Sequence, residues 1–402
     1  MAQGNLGNFF ETYLTKEPLF LNKKVLQASH TPENIPHRDE QIDQIANILA
    51  PSLRMEKPSN LFLYGKTGCG KTLTIKYVMQ QLLETAKKKN IKLEIYYLNC
   101  KLKRVADTEY RLISQLARLF GKEVPATGLP TDEIYKLFLE SIDYEKKLLI
   151  LVLDEVDQIV KKAGDEILYN LTRLNSELKH AEISLIGISN DLVFTENIDP
   201  RIKSSLSEEE LVFPPYNALQ LQDILRERAD KAFAKGVVTE GVIEKCAAYA
   251  AREHGDARRA LELLRVAGEL AERKNEVKIK IKHIDEAEDK IEHDRLLDIA
   301  KTQPKQIQAT MLSILNVAAK NENTIFTGDV YRLYKDYCTK CGLKPLTQRR
   351  VSDIIAELDM LGIINARVIS KGRYGRTREI VLAIPPTNLE EIEHILKEGL
   401  HL

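Results

Sequence analysis

Gly65, Lys66, Thr67, Gly68, Cys69, Gly70, Lys71 and Thr72 stand in the order G-x-x-x-x-G-K-T. Glycines at those spacings let successive backbone N–H groups turn inward around phosphate oxygens, and a helix opening at Lys71 adds partial positive charge. In that setting the Lys71 ammonium reaches the β- and γ-phosphates and the Thr72 hydroxyl ligates magnesium. A second apolar run, 148–155, ends in Asp154 and Glu155. Two carboxylates there suit a metal-holding Asp154 and a Glu155 that orients or deprotonates an attacking water. Asp157 is either a cap or an acid that supports the metal-holding carboxylate from behind, and the structural role is the better reading. A third run, 183–190, ends at Asn190. Its amide could touch the γ-phosphate or the attacking water if the strand lies between the other two, although Asn at a strand end usually makes a turn. Arg201 in DPRIKSSL and Arg258 in GDARRAL are candidates of a weaker kind. Taken singly, such arginines are more often surface residues than catalytic ones.

Elements must hold these groups in place. The runs 61–65, 93–100, 148–155 and 183–190 are almost continuously apolar, the pattern of parallel strands covered on both faces. Helical patterns over 71–87, 107–120, 131–142 and 165–178 alternate with them, which predicts a three-layer α/β domain over 21–214. Residues 1–20, with Phe9, Phe10, Tyr13 and Phe20, read as an arm that docks elsewhere. After Pro214 the strand signal stops, and helices over 218–235, 242–253 and 256–274 predict a small all-α unit, 215–300. Pro304 marks a break before the last unit, 301–402. There, helices over 307–320, 327–341 and 347–361 precede a pair of strands around the turn KGRYGR.

The 402 residues are too many for one core and suggest two or three domains. With 44% hydrophobic and 29% charged residues the chain is not wholly disordered. No apolar run reaches the roughly 18 residues of a membrane span, and no secretory signal pattern opens the chain, so a soluble intracellular protein is expected. The five scattered cysteines make no disulfide framework. Cys338 and Cys341 form a lone C-x-x-C without the further ligands a zinc site needs or a thioredoxin-like setting, so two reduced, packed cysteines are the better reading. The 59 basic and 59 acidic residues balance, yet 301–384 hold 14 Lys and Arg against 7 Asp and Glu. Helix, helix, helix and hairpin in a basic segment match a winged helix-turn-helix. Its third helix would present Thr347, Gln348, Arg349, Arg350 and Ser352 to the major groove of duplex DNA. The hairpin would add Arg367, Lys371, Arg373, Tyr374, Arg376 and Arg378 at phosphates or a minor groove.

The order of these pieces resembles the AAA+ ATPases: Walker A at 65–72, Walker B at 148–155, sensor 1 at Asn190, an arginine-finger box near Arg201, and a helical lid with sensor 2 at Arg258. That resemblance implies that Arg258 reads phosphates of its own subunit, whereas Arg201 serves a neighbour's nucleotide. More narrowly, IPHRDEQI (35–42), YGKTGCGKT, LDEVD, GDARRAL and LTQRRVSDIIAELDMLGII are similar to the archaeal origin-recognition initiators, the Orc/Cdc family, over nearly the whole chain. The resemblance implies an AAA+ P-loop base with a parallel sheet between helices, an all-α lid and a C-terminal winged helix. It implies ATP or ADP with Mg2+ held by Gly65, Thr67, Gly68, Cys69, Gly70, Lys71, Thr72 and Leu73. Ile35, His37 and Arg38 would lie at the adenine, and Tyr216 and Arg228 against the nucleotide. Lys101, Lys103 and Arg104 would face DNA from the family's helical insertion. Expected partners are double-stranded origin DNA, other initiator subunits and the replicative helicase, in the cytoplasm at the nucleoid, with no membrane. The expected activity is weak ATP hydrolysis used as a switch in the initiation of DNA replication. Another AAA+ ATPase on DNA, such as a helicase loader, and a nucleotide-switched regulator without useful turnover remain the rival readings.

Overall fold

A computed structural model of the chain describes residues 18–28, 30–101, 108–125, 128–194, 198–206, 208–320, 325–370 and 376–402. It falls into two compact units, Met1–Ile284 and Asp285–Leu402.

In the first unit, β1 (Leu61–Tyr64), β2 (Leu93–Asn99), β3 (Leu148–Asp154), β4 (Glu182–Ser189) and β5 (Glu209–Val212) form one sheet in the order β2-β3-β4-β1-β5. Every pairing is parallel. Helix α1 (Asp39–Leu49) and α2 (Lys71–Lys88) cover one face. The other face carries α3 (Glu109–Leu119), α4 (Thr131–Ile142), α5 (Val156–Ala163), α6 (Glu166–Arg173) and α7 (Pro200–Leu206). Strand β3 makes the layering plain. Leu148, Ile150 and Val152 pack with α1 and α2, while Leu149, Leu151 and Leu153 pack on the opposite side. Both faces are dry, so the strand carries no polar alternation.

Three elements of this unit carry no strong sequence signal. Strand β5 reads Glu-Glu-Leu-Val and is mostly exposed; it is a strand because β1 offers an open edge, with Leu61 opposite Glu209. Helices α5 and α7 are about two turns each, too short for apolar periodicity to declare them.

The lid of the same unit holds α8 (Ala218–Ala232), α9 (Val242–Arg252) and α10 (Ala257–Arg273). A reciprocal capping box between Asn217 and Gln220 starts α8, and the Asp256 carboxylate caps α10 by accepting from the Arg258 and Arg259 amides. Leu19 and Phe20, the described end of the expected arm, lie on this lid. The Leu19 amide donates to Glu272 Oε1 at 3.3 Å, and the Phe20 ring stands 4.7 Å from that of Phe233. Phe9, Phe10 and Tyr13 lie outside the described residues.

Helix α11 (Ile281–Thr302) runs through the boundary at Ile284, so no break in the helix marks the change of unit. The second unit continues with α12 (Lys305–Lys320), β6 (Ile325–Phe326), α13 (Thr327–Lys340), α14 (Gln348–Met360), β7 (Ile364–Ser370), β8 (Arg376–Leu382) and α15 (Leu389–Leu400). Its antiparallel sheet has the order β6-β8-β7. Val351, Ile354, Ile355 and Leu358 of α14 are buried in the core that α14 shares with α12 and α13, which turns Gln348, Arg349 and Ser352 away from it. Cys338 is buried in this core and Cys341 half-buried, and both are free thiols.

Candidate nucleotide-binding site and winged-helix surface

Sheet order brings the motifs together. Strands β3 and β1 both flank β4, so the turn after β4 emerges between the two loops. Register sets the height: Asn99 pairs with Asp154, Asp154 with Ile188, and Tyr64 with Ser189. The phosphate loop, the acidic pair and Asn190 therefore leave the sheet at one carboxyl edge, where open α/β sheets bind ligands.

Lys71 is buried, and its Nζ donates to Gly65 O at 2.6 Å, Lys66 O at 2.8 Å and Asn190 Oδ1 at 2.9 Å. Burial pushes its pKa down, partly opposed by the nearby Cys69 and Asp154, and the Arg258 charge pushes the same way as burial. Arg228 is also disfavoured as a cation by burial. A cavity with cations held at a cost in burial is electrostatically suited to a polyanion.

Thr72 Oγ1 donates to Asp154 Oδ2 at 2.8 Å, and the Tyr97 hydroxyl donates to the same oxygen. Burial and that bond push the Tyr97 pKa well up. The Glu155 amide donates to Asp154 Oδ1 at 2.9 Å. Glu155 itself sits at φ 56°, ψ 43°, a left-handed conformation costly for a residue with a side chain. Its carboxylate lies beside Lys101, whose Nζ is 3.7 Å from Glu155 Oε2. A hydroxyl and a carboxylate, both hard oxygen donors, fit Mg2+ at Thr72 and Asp154.

A cavity of about 460 Å³ opens from this edge to the lid. Ile35, Gly68, Gly70, Lys71, Thr72, Leu73, Asp154, Glu155, Asn190, Tyr216, Arg228 and Arg258 all line it. The lid closes close upon the loop: the Ala257 amide donates to Gly68 O at 3.3 Å, and a side chain at Gly68 would collide with Asp256. At Gly70, with φ 96°, a Cβ would meet the Tyr216 hydroxyl at 2.8 Å.

Other expected residues take different places. Arg38 lies beneath the loop and not in the cavity wall, donating to Cys69 O at 2.9 Å and Pro214 O at 2.7 Å, with its guanidinium 3.9 Å from the Tyr216 ring centroid. It is a strut for the loop. His37 turns outward to Asp223 at 3.1 Å. Within the loop, Gly65 and Cys69 are buried and Thr67 is exposed. Arg201 is exposed and bound to Asp199 through two contacts, away from the cavity. Lys103 and Arg104 lie outside the described residues.

Sequence reasoning missed several lining residues. Lys76 falls one turn after Thr72 on α2, a periodicity that could have found it. Tyr97 shares a strand face with Asn99, but only the β2–β3 pairing brings that face to Asp154. Gln27, His30, Thr31 and Pro32 line the cavity from a segment without any motif.

In the second unit, a cavity of about 400 Å³ lies between α14 and the hairpin, lined by Thr327, Gln348, Arg349, Ser352, Val368, Thr377 and Arg378. Arg350 is not among them and lies 3.6 Å from Asp353, while Thr347 is the N-cap of α14 and accepts from the Arg350 amide. Strand alternation divides the hairpin cations. Arg378 pairs across from Val368 on the face of buried Ile380, whereas Arg367 pairs across from Glu379 on the other face. Arg376 opens β8; its side chain, with Lys371, Arg373 and Tyr374, lies outside the described residues. No helix among the described residues is long and apolar enough to cross a membrane.

Known families match in the same order as the units. An AAA domain matches residues 54–193, a Cdc6 AAA+ ATPase-type lid domain residues 222–289, and a CDC6 C-terminal winged helix domain residues 298–392. The ORC1-type DNA replication protein of Pyrococcus abyssi is 52% identical over 399 residues, 98% of this chain and 94% of that protein. The structure of the Aeropyrum pernix ORC1 protein in complex with DNA superposes with a TM-score of 0.86 at 43% identity, covering 95% of this chain and 98% of that one. Cdc6p from Pyrobaculum aerophilum, at 22% identity and a TM-score of 0.60, covering 95% of this chain and 99% of its own, shares the fold. Motifs, sheet order, lid and winged helix thus agree with these likenesses: the chain belongs to the ORC1-type DNA replication proteins, AAA+ initiators with a Cdc6-type lid and winged helix.

Proposed function

We propose that this chain binds replication-origin DNA in an ATP-dependent way and hydrolyses ATP slowly, using the nucleotide as a switch. The convergence of Lys71, Asn190, Thr72 and Asp154 at one mouth of a lid-covered cavity carries the nucleotide half of this reading. Lys71, Arg228 and Arg258 would hold the phosphates, and Ile35 and Tyr216 the base end. Mg2+, held by Thr72 and Asp154, would neutralise phosphate charge. Glu155 would then accept a proton from water, and Asn190 would keep Lys71 and that water in line. Arg201, exposed at the start of α7, would complete the site of a neighbouring subunit.

Duplex DNA is the proposed partner of the winged helix. The A. pernix relative that superposes over nearly its whole length is in complex with DNA, which supports this assignment. Gln348, Arg349 and Ser352 would face the major groove, with Thr347 and Arg350 at its edge. Arg367, Lys371, Arg373, Tyr374, Arg376 and Arg378 would serve the wing. Lys101, Lys103 and Arg104 would add a contact from the ATPase base. Other initiator subunits and the replicative helicase are the proposed protein partners, on chromosomal DNA in the cytoplasm.

Sequencing the fragments that the purified chain retains from its own genome tests the reading. Enrichment of one or a few discrete loci, strengthened by ATP, is the expected result. Uniform retention, indifferent to nucleotide, would reject origin binding.

A further inference from the structure

We infer that Arg378 is a positioning residue that locks the wing to the recognition helix, and that its contribution to DNA binding passes through Ser352. The inference rests on the winged-helix reading above. Arg378 Nε donates to Ser352 Oγ of α14 at 3.3 Å, and the Arg378 amide donates to Thr327 Oγ1, the first residue of α13, at 3.2 Å. One residue of β8 is therefore tied to both helices of the helix-turn-helix.

Strand geometry explains why the tie falls at this residue. Side chains alternate along β8, so Arg378 shares a face with Ile380, which is buried in the core. Two residues nearer the tip, the same face has run past the apolar core, and the side chain meets polar groups on the helices instead. Opposite it, Val368 stands 59% exposed, so apolar burial is thin at this level of the hairpin. Below, Ile364 and Ile380 anchor the sheet in the core. Hydrogen bonds from Arg378 are the described polar links between α14, α13 and this half of β8.

The consequence concerns how DNA is read. Gln348, Arg349 and Ser352 line one wall of the cavity, and Val368, Thr377 and Arg378 the other. The spacing of those walls determines whether helix and hairpin can contact the duplex together. An arginine that only met a phosphate would add affinity on any sequence. A lock between the walls instead sets which base steps lie under the hairpin when the helix is in register.

Full-length wild type, Ser352→Ala, Arg378→Gln, the double variant and Arg376→Gln are to be compared by fluorescence anisotropy. The probes are a duplex retained from the organism's own genome and a scrambled duplex of equal length, each over a range of salt. Near-ultraviolet circular dichroism establishes that each variant is folded; should Arg378→Gln not fold, Ser352→Ala with Thr327→Val tests the same lock from the helix side. The lock predicts that Ser352→Ala and Arg378→Gln each weaken binding about three- to ten-fold, the net scale of one ordinary intramolecular hydrogen bond. It predicts that the double variant is no worse than either single one, that preference over the scrambled duplex falls, and that the salt slope stays at the wild-type value. If Arg378→Gln alone flattens the slope of log affinity against log salt by about 0.9 while Ser352→Ala binds as wild type, Arg378 is a direct phosphate contact and the inference is wrong. If wild type itself binds neither duplex, or binds without salt dependence, it is the DNA reading of the winged helix that fails. Arg376→Gln reports whether the assay resolves a single wing cation.

Discussion

Lys71 Nζ donates to Asn190 Oδ1 across 2.9 Å, although the two residues are 119 positions apart in the chain. The bond exists because β4 lies between β1 and β3 in the sheet. It fixes the heading of the loop lysine at the wall of the cavity. Removing the amide with Asn190→Ala should leave nucleotide affinity within about three-fold and reduce hydrolysis by about ten-fold or more, since positioning enters the barrier more than the ground state. Fluorescent-nucleotide titration beside single-turnover hydrolysis measures both; equal losses in the two would assign Asn190 to binding alone.

Lys71→Ala removes a buried cation of the cavity wall, the one proposed to meet phosphate. A charge-assisted hydrogen bond of about 1.5–3 kcal/mol corresponds to about 10- to 100-fold in affinity. Calorimetric titration with ATP should show at least that loss.

Glu155→Gln should retain ATP and lose turnover by about 100-fold or more, the scale of a general base. Thr72 and Asp154 are unchanged by the substitution, so magnesium-dependent binding persists. Turnover equal to wild type would remove Glu155 from the chemistry.

Arg201 and Arg258 should behave oppositely. Arg258 lines the cavity of its own chain, so Arg258→Ala should weaken nucleotide binding in dilute monomer. Arg201 does not line it, so Arg201→Ala should matter only in assemblies on DNA. Its hydrogen bond, and secondarily its charge, holds the Asp199 carboxyl at about 2 instead of 3.8. The direction of linkage follows: the contribution of this pair is complete above pH 3.8 and is lost as pH falls toward 2. Carbon-13 NMR of the Asp199 carboxyl should titrate near 2 in wild type and rise toward 3.8 in Arg201→Ala.

Wing cations that touch phosphate should each flatten the salt slope by about 0.9 when replaced by Ala. Arg373 and Arg376 are expected to do so. Gln348 or Arg349, if they read base edges, should instead cost about 1–3 kcal/mol on the preferred duplex and little on a scrambled one. Anisotropy over a salt series separates the two kinds of residue.

Local chemistry was legible in the sequence because a phosphate loop and a metal-holding carboxylate need particular residue types next to one another in the chain. Gly65 through Thr72, Asp154 and the buried strands before them declare themselves that way, as do the apolar stripe of α14 and the basic hairpin. Tertiary structure decided what depends on neighbours distant in sequence. Tyr97 reaches Asp154 only because β2 pairs with β3, and β5 is a strand only because β1 has an open edge. Arg38 supports the loop from beneath instead of facing a base, since Tyr216 and Phe213 take its guanidinium on their faces. Gln27, His30, Thr31 and Pro32 enter the cavity wall because the chain crosses from lid to base there, a path no residue pattern records. Arg378 turns to Ser352 and not outward because β8 has a fixed register, and a register shifted by one residue would reverse that face.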